Sequence, residues 1–341
     1  MEYDWSGSFY NYLPEGCSLC YKGAKMVLFI TGICGRNCFY CPVSYERREK
    51  DEMFANEKRV EKEEDVIEEA RSMDALGASI TGGEPLLKLE RVLQYIRLLK
   101  KKFGKSFHIH LYTSLAPGKD VLVSLHDAGL DEIRFHPPTD MWKNIQDTPY
   151  SDSIINAHDL GISTGIEIPS IKSDLNEILS LLAKVDGFLN LNELEFSETN
   201  ASELEKRGYV PENDISMAVL ESKDFAGTVK GKNMHFCSSV FKDGVQLRER
   251  FKRIAKKSAR DFDEITDDGT LVYGIIDVDG LSVLKEAGVT EDMFAVKEDS
   301  VETAWWIASE LADELKEKGL NASVIERYPM KKGMIVEKTP L

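Results

Sequence analysis

Apolar positions recur along the first two hundred residues with two alternating periods. Short strand-like runs give way to stretches of helical spacing, the pattern of βα units around a parallel sheet. Residues 26–31 read as the first strand. Val66, Ile67, Ala70, Met73 and Leu76 then recur at helical spacing, and Gly77 stands where a helix ends. Residues 78–81 form the second strand, and Leu89, Val92, Leu93, Ile96, Leu99 and Phe103 mark the next helix before a third strand at 107–112. The alternation continues through Val121, Leu122 and Leu125 to a strand at 132–136, a helix near 152–160 and a strand at 163–168. A helix through Leu175, Ile178, Leu179, Leu182 and Val185 leads to a sixth strand at 191–196.

The pattern changes near residue 262. An extended run at 271–278, a helix from Leu281, a strand near Phe294, a long amphipathic helix at 301–318 with Trp305 and Trp306 in the core, a strand at 322–327 and an apolar run at 334–336 describe an α+β unit. The expected divisions are an amino-terminal extension (1–23), a βα core (24–200), a barrel extension with a basic helix (201–260) and an accessory domain (261–341). No internal repeat or low-complexity linker interrupts them.

Chemistry enters at the strand ends. Cys34, Cys38 and Cys41 follow the first strand closely enough to bring three thiolates into one loop. Structural zinc wants four protein ligands, whereas a four-iron cluster held by three thiolates leaves one iron open, so the spacing points to a reactive centre. Gly82-Gly83-Glu84-Pro85 follows the second strand; its glycines let backbone approach a ligand, and its carbonyls and Glu84 offer acceptors to an ammonium group.

The C-x3-C-x2-C ladder with Tyr40 before its last cysteine, together with Gly82-Gly83-Glu84-Pro85, resembles the radical SAM superfamily over roughly residues 24–200. The resemblance implies a partial (βα)6 barrel with ligands at the carboxyl ends of its strands. It implies a [4Fe-4S] cluster whose open iron chelates S-adenosylmethionine, and a one-electron reduction, from ferredoxin or flavodoxin, that releases methionine and a 5'-deoxyadenosyl radical. The radical abstracts hydrogen from an acceptor, and such a centre is oxygen-sensitive. By position, Thr113, Ser114 and Glu167 are further cofactor contacts, and Tyr40 and Ile168 resemble the residues that hold the adenine. Protein, peptide, RNA and lipid acceptors stay open; a glycyl-radical-enzyme activase is the alternative, and a non-catalytic iron–sulfur electron carrier is an alternative of another class.

Period two places His108, His110 and Tyr112 on one face of the third strand, and Glu193 and Glu195 on one face of the sixth. His136 and Glu195 are the catalytic candidates. Cys17 and Cys20 form a second pair, which with Cys237 and His235 makes the ligand set of a Cys3His site, zinc or an auxiliary iron–sulfur cluster.

The formal charge of -16 disfavours wrapping of nucleic acid. Residues 242–260 are the exception, with eight basic residues against Asp243 and Glu249, and Gln246, Arg248, Phe251 and Arg253 at helical spacings there could hold an anionic part of the acceptor. No apolar run approaches the roughly 18 residues of a membrane span, and thiols grouped for ligation suit a reducing compartment, so the expected location is cytoplasmic.

Overall fold

The computed structural model describes residues 1–330 and 333–341, Asp243 by its backbone alone. The chain forms two compact units, Met1–Arg71 with Ala75–Gln246, and Ser72–Asp74 with Leu247–Leu341.

In the first unit a short helix α1 (Glu15–Tyr21) precedes β1 (Lys25–Phe29). The chain then alternates α2 (Glu63–Ser72), β2 (Gly77–Thr81), α3 (Leu89–Phe103), β3 (His108–Thr113), α4 (Lys119–Ala128) and β4 (Glu132–Phe135). It continues through α5 (Pro149–Asp159), β5 (Ser163–Pro169), α6 (Asn176–Lys184) and β6 (Phe188–Asn192) to β7 (Met234–Cys237). Among the described residues these seven strands lie side by side, parallel and in chain order. Short antiparallel strands, Phe54–Ala55 beside β1 and Phe9–Tyr10 beside β7, extend the two ends of this open barrel.

The helices form for local reasons and stay for tertiary ones. The Thr148 hydroxyl accepts from Tyr150 N at the start of α5, with Pro149 at the first helical position, and Gly129 ends α4 in the left-handed region. On α3, Val92, Leu93, Ile96 and Leu99 are buried, and on the strands they cover, Met26, Leu28, Ile80, Ile109, Leu111, Ile133 and Ile166 are fully buried. That apolar layer between sheet and helices is the core.

Two expectations are corrected here. Six parallel strands are expected in the barrel, and among the described residues a seventh, β7, follows within the stretch expected to extend it. The sixth strand is β6 at Phe188–Asn192, because Leu189 and Leu191 are the residues that alternate into the core, so Glu193 and Glu195 lie past its end.

The second unit holds α7 (Leu247–Ser258), β8 (Leu271–Asp277), α8 (Leu281–Glu286), β9 (Phe294–Val296) and β10 (Ser300–Thr303). Then follow α9 (Trp305–Glu310), α10 (Ala312–Glu317), β11 (Ala322–Arg327) and β12 (Ile335–Pro340). The strands are antiparallel in the order β9-β10-β8-β11-β12. The single helix expected at 301–318 is a strand and two short helices, since Val301 and Thr303 bury on alternation against β8, and Trp306 is 38% exposed, not core. The basic stretch is divided: Lys242 and Gln246 belong to the barrel unit, and α7 to the second unit. Among the described residues, no helix is long and apolar enough to cross a membrane.

Candidate active site

Along β3, β4, β5, β6 and β7 the side chains facing the helices are mostly apolar, whereas most of those facing inward are polar. His110 and Tyr112, Arg134, Glu167, Asn190 and Asn192, and His235 and Cys237 line one interior cavity of about 790 Å³. Polar side chains on the inner face of a parallel barrel carry a desolvation cost that packing alone does not repay, so they mark a binding lumen. Helix α1 forms its floor: a Cβ on Gly16 would lie 2.3 Å from His110 Nδ1 and 2.5 Å from Arg134 Nη2, and Gly16 N donates to Glu132 Oε2 at 3.3 Å.

The ladder and the glycine turn meet at the mouth of this cavity. Cys34, Cys38, Tyr40 and Cys41 line it with Gly82, Gly83, Thr113, Ser114 and His136. Gly82 and Gly83 are required by close approach: a Cβ would come within 2.5 Å of the Thr31 carbonyl oxygen and 2.6 Å of the Ile33 carbonyl oxygen. Arg36, in the ladder loop, donates from Nη2 to the Ser114 carbonyl at 3.0 Å. Asn200 donates to the Tyr40 carbonyl at 3.1 Å and Thr199 to that of Cys41 at 3.1 Å, so the loop is held from both sides. Burial raises the Cys34 and Cys38 thiols, leaving them proton-bearing until a cation takes the proton's place.

Three assigned roles change. Glu84 does not line the cavity: it is 1% exposed, and its carboxylate accepts from Leu86 N (3.0 Å), Thr113 Oγ1 (2.8 Å), Ser114 N (2.6 Å) and Ser114 Oγ (2.7 Å). It fastens the glycine turn to the end of β3. The Ile168 side chain does not line the cavity, because period two turns it to the helix side while Glu167 and Pro169 face inward. Glu167 is already engaged, accepting from Arg134 Nη1 (2.6 Å), Asn190 Nδ2 (2.9 Å) and Asn192 Nδ2 (2.7 Å). Burial raises its carboxyl, but Arg134, Asn190 and Asn192 outweigh that and leave it lowered.

The catalytic candidates both lie in the lumen. His136 donates from Nδ1 to the Glu167 carbonyl (2.7 Å) and meets the Tyr40 hydroxyl at Nε2 (2.9 Å), and burial lowers its pKa. Glu195 pairs with Lys242, and Glu193 accepts from Ser239 N and Oγ, both at 2.8 Å.

The pattern did not single out Arg134, the charge at the centre of the lumen. Its Nε donates to Glu132 Oε1 at 2.5 Å. Burial would raise the Glu132 carboxyl, but Arg134 and His108 bring it down to about 2. His108 in turn meets Lys25 Nζ at 2.7 Å, and burial lowers that ammonium to about 8. The signal was present: Glu132, Arg134 and His136 alternate with Ile133 and Phe135 on one strand.

Cys17, Cys20, Cys237 and His235 line the same cavity. Burial pushes the Cys17 thiol up to about 12 and brings His235 down to about 4. All six cysteines are free. Among the described residues no three His, Cys, Asp or Glu side chains converge to hold a metal ion, in the ladder or in this second set. Two basic residues of α7 have protein partners: Arg253 donates to Met73 O (3.0 Å) and pairs with Asp74 (3.0 Å), and Lys252 pairs with Glu249 (3.2 Å).

The family model described as "Radical SAM superfamily" matches residues 28–140, and "Domain of unknown function (DUF8061)" matches 269–341. A protein of Methanocaldococcus jannaschii, "Putative glycyl-radical enzyme activating enzyme MJ0021", is 40% identical over 353 residues, 97% of this chain and 94% of that protein. Among solved structures, methylornithine synthase (PylB) aligns at 12% identity and a TM-score of 0.40, over 57% of this chain and 58% of that one. Coproporphyrinogen III oxidase (HemN) from Escherichia coli aligns at 11% and 0.34, over 86% and 90%.

Proposed function

Because the chain belongs to the radical SAM superfamily, we propose that Cys34, Cys38 and Cys41 hold its four-iron cluster and that Gly82 and Gly83 receive the methionine end of S-adenosylmethionine. The chain is a radical S-adenosylmethionine enzyme, and its chemistry calls for a reductant and an acceptor. One observation carries the site assignment: the three thiols, the two close-packed glycines and the strand-end residues Thr113 and Ser114 line one cavity. Because a Cβ at either glycine would meet the Thr31 or Ile33 carbonyl oxygen, the turn packs against the backbone entering the ladder loop and presents only backbone atoms to the cavity. When bound, the cluster and S-adenosylmethionine supply a carbon-centred radical that abstracts hydrogen from the acceptor.

The protein's own residues position and shield. Glu84 ties the glycine turn to Thr113 and Ser114, His136 orients Tyr40, and Arg36 joins the ladder loop to Ser114. His136 has both nitrogens engaged, which favours a positioning role over proton transfer. Glu195 and Lys242 stand in the lumen as groups that can meet the acceptor. Tyr112, 3.1 Å from Arg134 Nη1, keeps its proton because burial raises its pKa.

For the acceptor, the relative's printed name supports the activase reading, in which a protein is the substrate. A nucleic acid is disfavoured by the charge of -16. Ferredoxin or flavodoxin suits the one-electron step. A second metal, zinc or an auxiliary iron–sulfur cluster, belongs to this reading at Cys17, Cys20, Cys237 and His235. Six free cysteines favour the cytoplasm.

Reconstituted, reduced protein incubated with S-adenosylmethionine should yield 5'-deoxyadenosine. An iron–sulfur carrier would yield none.

A further inference from the structure

Three thiols and an imidazole line the lumen with no role in the ladder. Cys17 and Cys20 are three residues apart on α1, so they share a helix face. His235 and Cys237 are two apart on β7, so both side chains face inward. The groups thus come from two elements more than two hundred residues apart, and all four line the same cavity.

Their surroundings are not those of inert thiols. Buried cysteine usually packs as a small hydrophobe, but here Asn190 Nδ2 donates to Cys17 Sγ at 3.4 Å and Gln246 Nε2 to Cys20 Sγ at 3.6 Å. Amide donors aimed at sulfur are the outer partners that metal-bound thiolates use. His235 is 2% exposed, and neither of its ring nitrogens has a hydrogen-bond partner. Buried polar atoms are rarely left so, and a missing ion is one of the few explanations.

We propose that Cys17, Cys20, Cys237 and His235 bind a second metal centre, which fastens the floor helix α1 to strand β7. Zinc and an iron–sulfur cluster share this chemistry, three thiolates with one imidazole. The fastening follows from connectivity: the chain ties α1 directly to β1, whereas only hydrogen bonds and packing tie it to the far edge of the barrel. Neither these four side chains nor the ladder cysteines, whose cluster the family membership implies, converge on a single ion among the described residues. Metal taking the place of the thiol protons would draw either set together. The proposal rests on the reading of this chain as a metal–thiolate enzyme but not on where S-adenosylmethionine binds.

The test uses the full chain carrying Cys34→Ala, Cys38→Ala and Cys41→Ala, prepared without oxygen, with metal and sulfide content measured per chain. Zinc near one equivalent, or iron with matching sulfide, is expected, and the absorption spectrum tells the two apart. Adding Cys17→Ser and Cys20→Ser should remove that metal and lower the melting temperature. A folded ladder-free chain with neither metal overturns the site. If that variant does not fold, wild-type protein with a fully loaded ladder decides: metal beyond one four-iron cluster supports the site, and none overturns it. Cofactor cleavage by the wild type is a separate readout, so the second site and the radical reading can fail independently.

Discussion

His136 and Tyr40 share a hydrogen bond of 2.9 Å between Nε2 and the phenol oxygen. The Glu167 carbonyl, 2.7 Å from Nδ1, can only accept, so Nδ1 carries the proton and Nε2 takes one from Tyr40. The end of β4 thereby reaches the residue preceding Cys41. Tyr40→Phe leaves a buried imidazole nitrogen unpartnered and should destabilise the fold by about 1–3 kcal/mol. Denaturant unfolding of the metal-free protein measures it, and an unchanged midpoint would contradict the bond's role.

Arg134 lies between two carboxylates in the lumen, Glu132 at 2.5 Å and Glu167 at 2.6 Å, and is 2% exposed. Removing one partner of a buried charge set leaves the others uncompensated. Arg134→Met should cost about 3–5 kcal/mol and raise the pKa of both carboxyls. Stability within about 1 kcal/mol of wild type, on the scale of an exposed pair, would show that the cluster is hydrated and not buried.

Gly83→Ala should disable the cofactor site while sparing the barrel. Its Cβ would fall 2.6 Å from the Ile33 carbonyl oxygen and 2.8 Å from that of Gly32, so backbone must shift. Overpacking of this kind costs about 1–3 kcal/mol. The expected outcome is a folded protein, shown by an unchanged far-ultraviolet spectrum, with S-adenosylmethionine cleavage reduced at least tenfold. Wild-type cleavage would separate this turn from the cofactor.

Acid should loosen the barrel through its neutral histidines. Burial lowers the pKa of His110, aided by Arg134, Lys25 and His108, and burial also lowers that of His136. The unfolded chain then binds protons that the native state refuses, so stability is full above the unfolded value of about 6.5 and falls as pH drops below it. Each such histidine contributes a slope of about 1.4 kcal/mol per pH unit until its folded pKa is reached. Glu132, held at about 2, stays ionised and adds nothing in this window. Denaturant midpoints of the ladder-free variant between about pH 5 and 7.5 should decline toward acid, and a flat profile would mean the imidazoles are solvated.

The ladder and the glycine turn were legible because their chemistry depends on residue type at fixed spacing, and the cavity brings both together. The strand alternation revealed most of the barrel for the same reason, since its helix side is mostly apolar. The sixth strand slipped by three residues because 193–196 alternate as well as 188–192 do, and only pairing with β5 decides between them. Ile168 was assigned by position, and its neighbour's carboxylate, bound to Arg134, fixes the opposite face inward. The inward face of Arg134 was legible in the alternation of its strand, but its partners were not, because Glu132, Glu167 and Tyr112 come from three strands. The basic stretch looked like one feature but crosses a boundary at Gln246, which charge alone does not reveal.

Electron paramagnetic resonance of the reduced, fully loaded protein, recorded with and without S-adenosylmethionine, tests most directly whether Cys34, Cys38 and Cys41 hold a cluster with one open iron. The spectrum should change on addition of the cofactor, and Cys34→Ala should abolish both the change and 5'-deoxyadenosine formation. An identical spectrum with and without cofactor, at full cluster loading, would contradict the assignment.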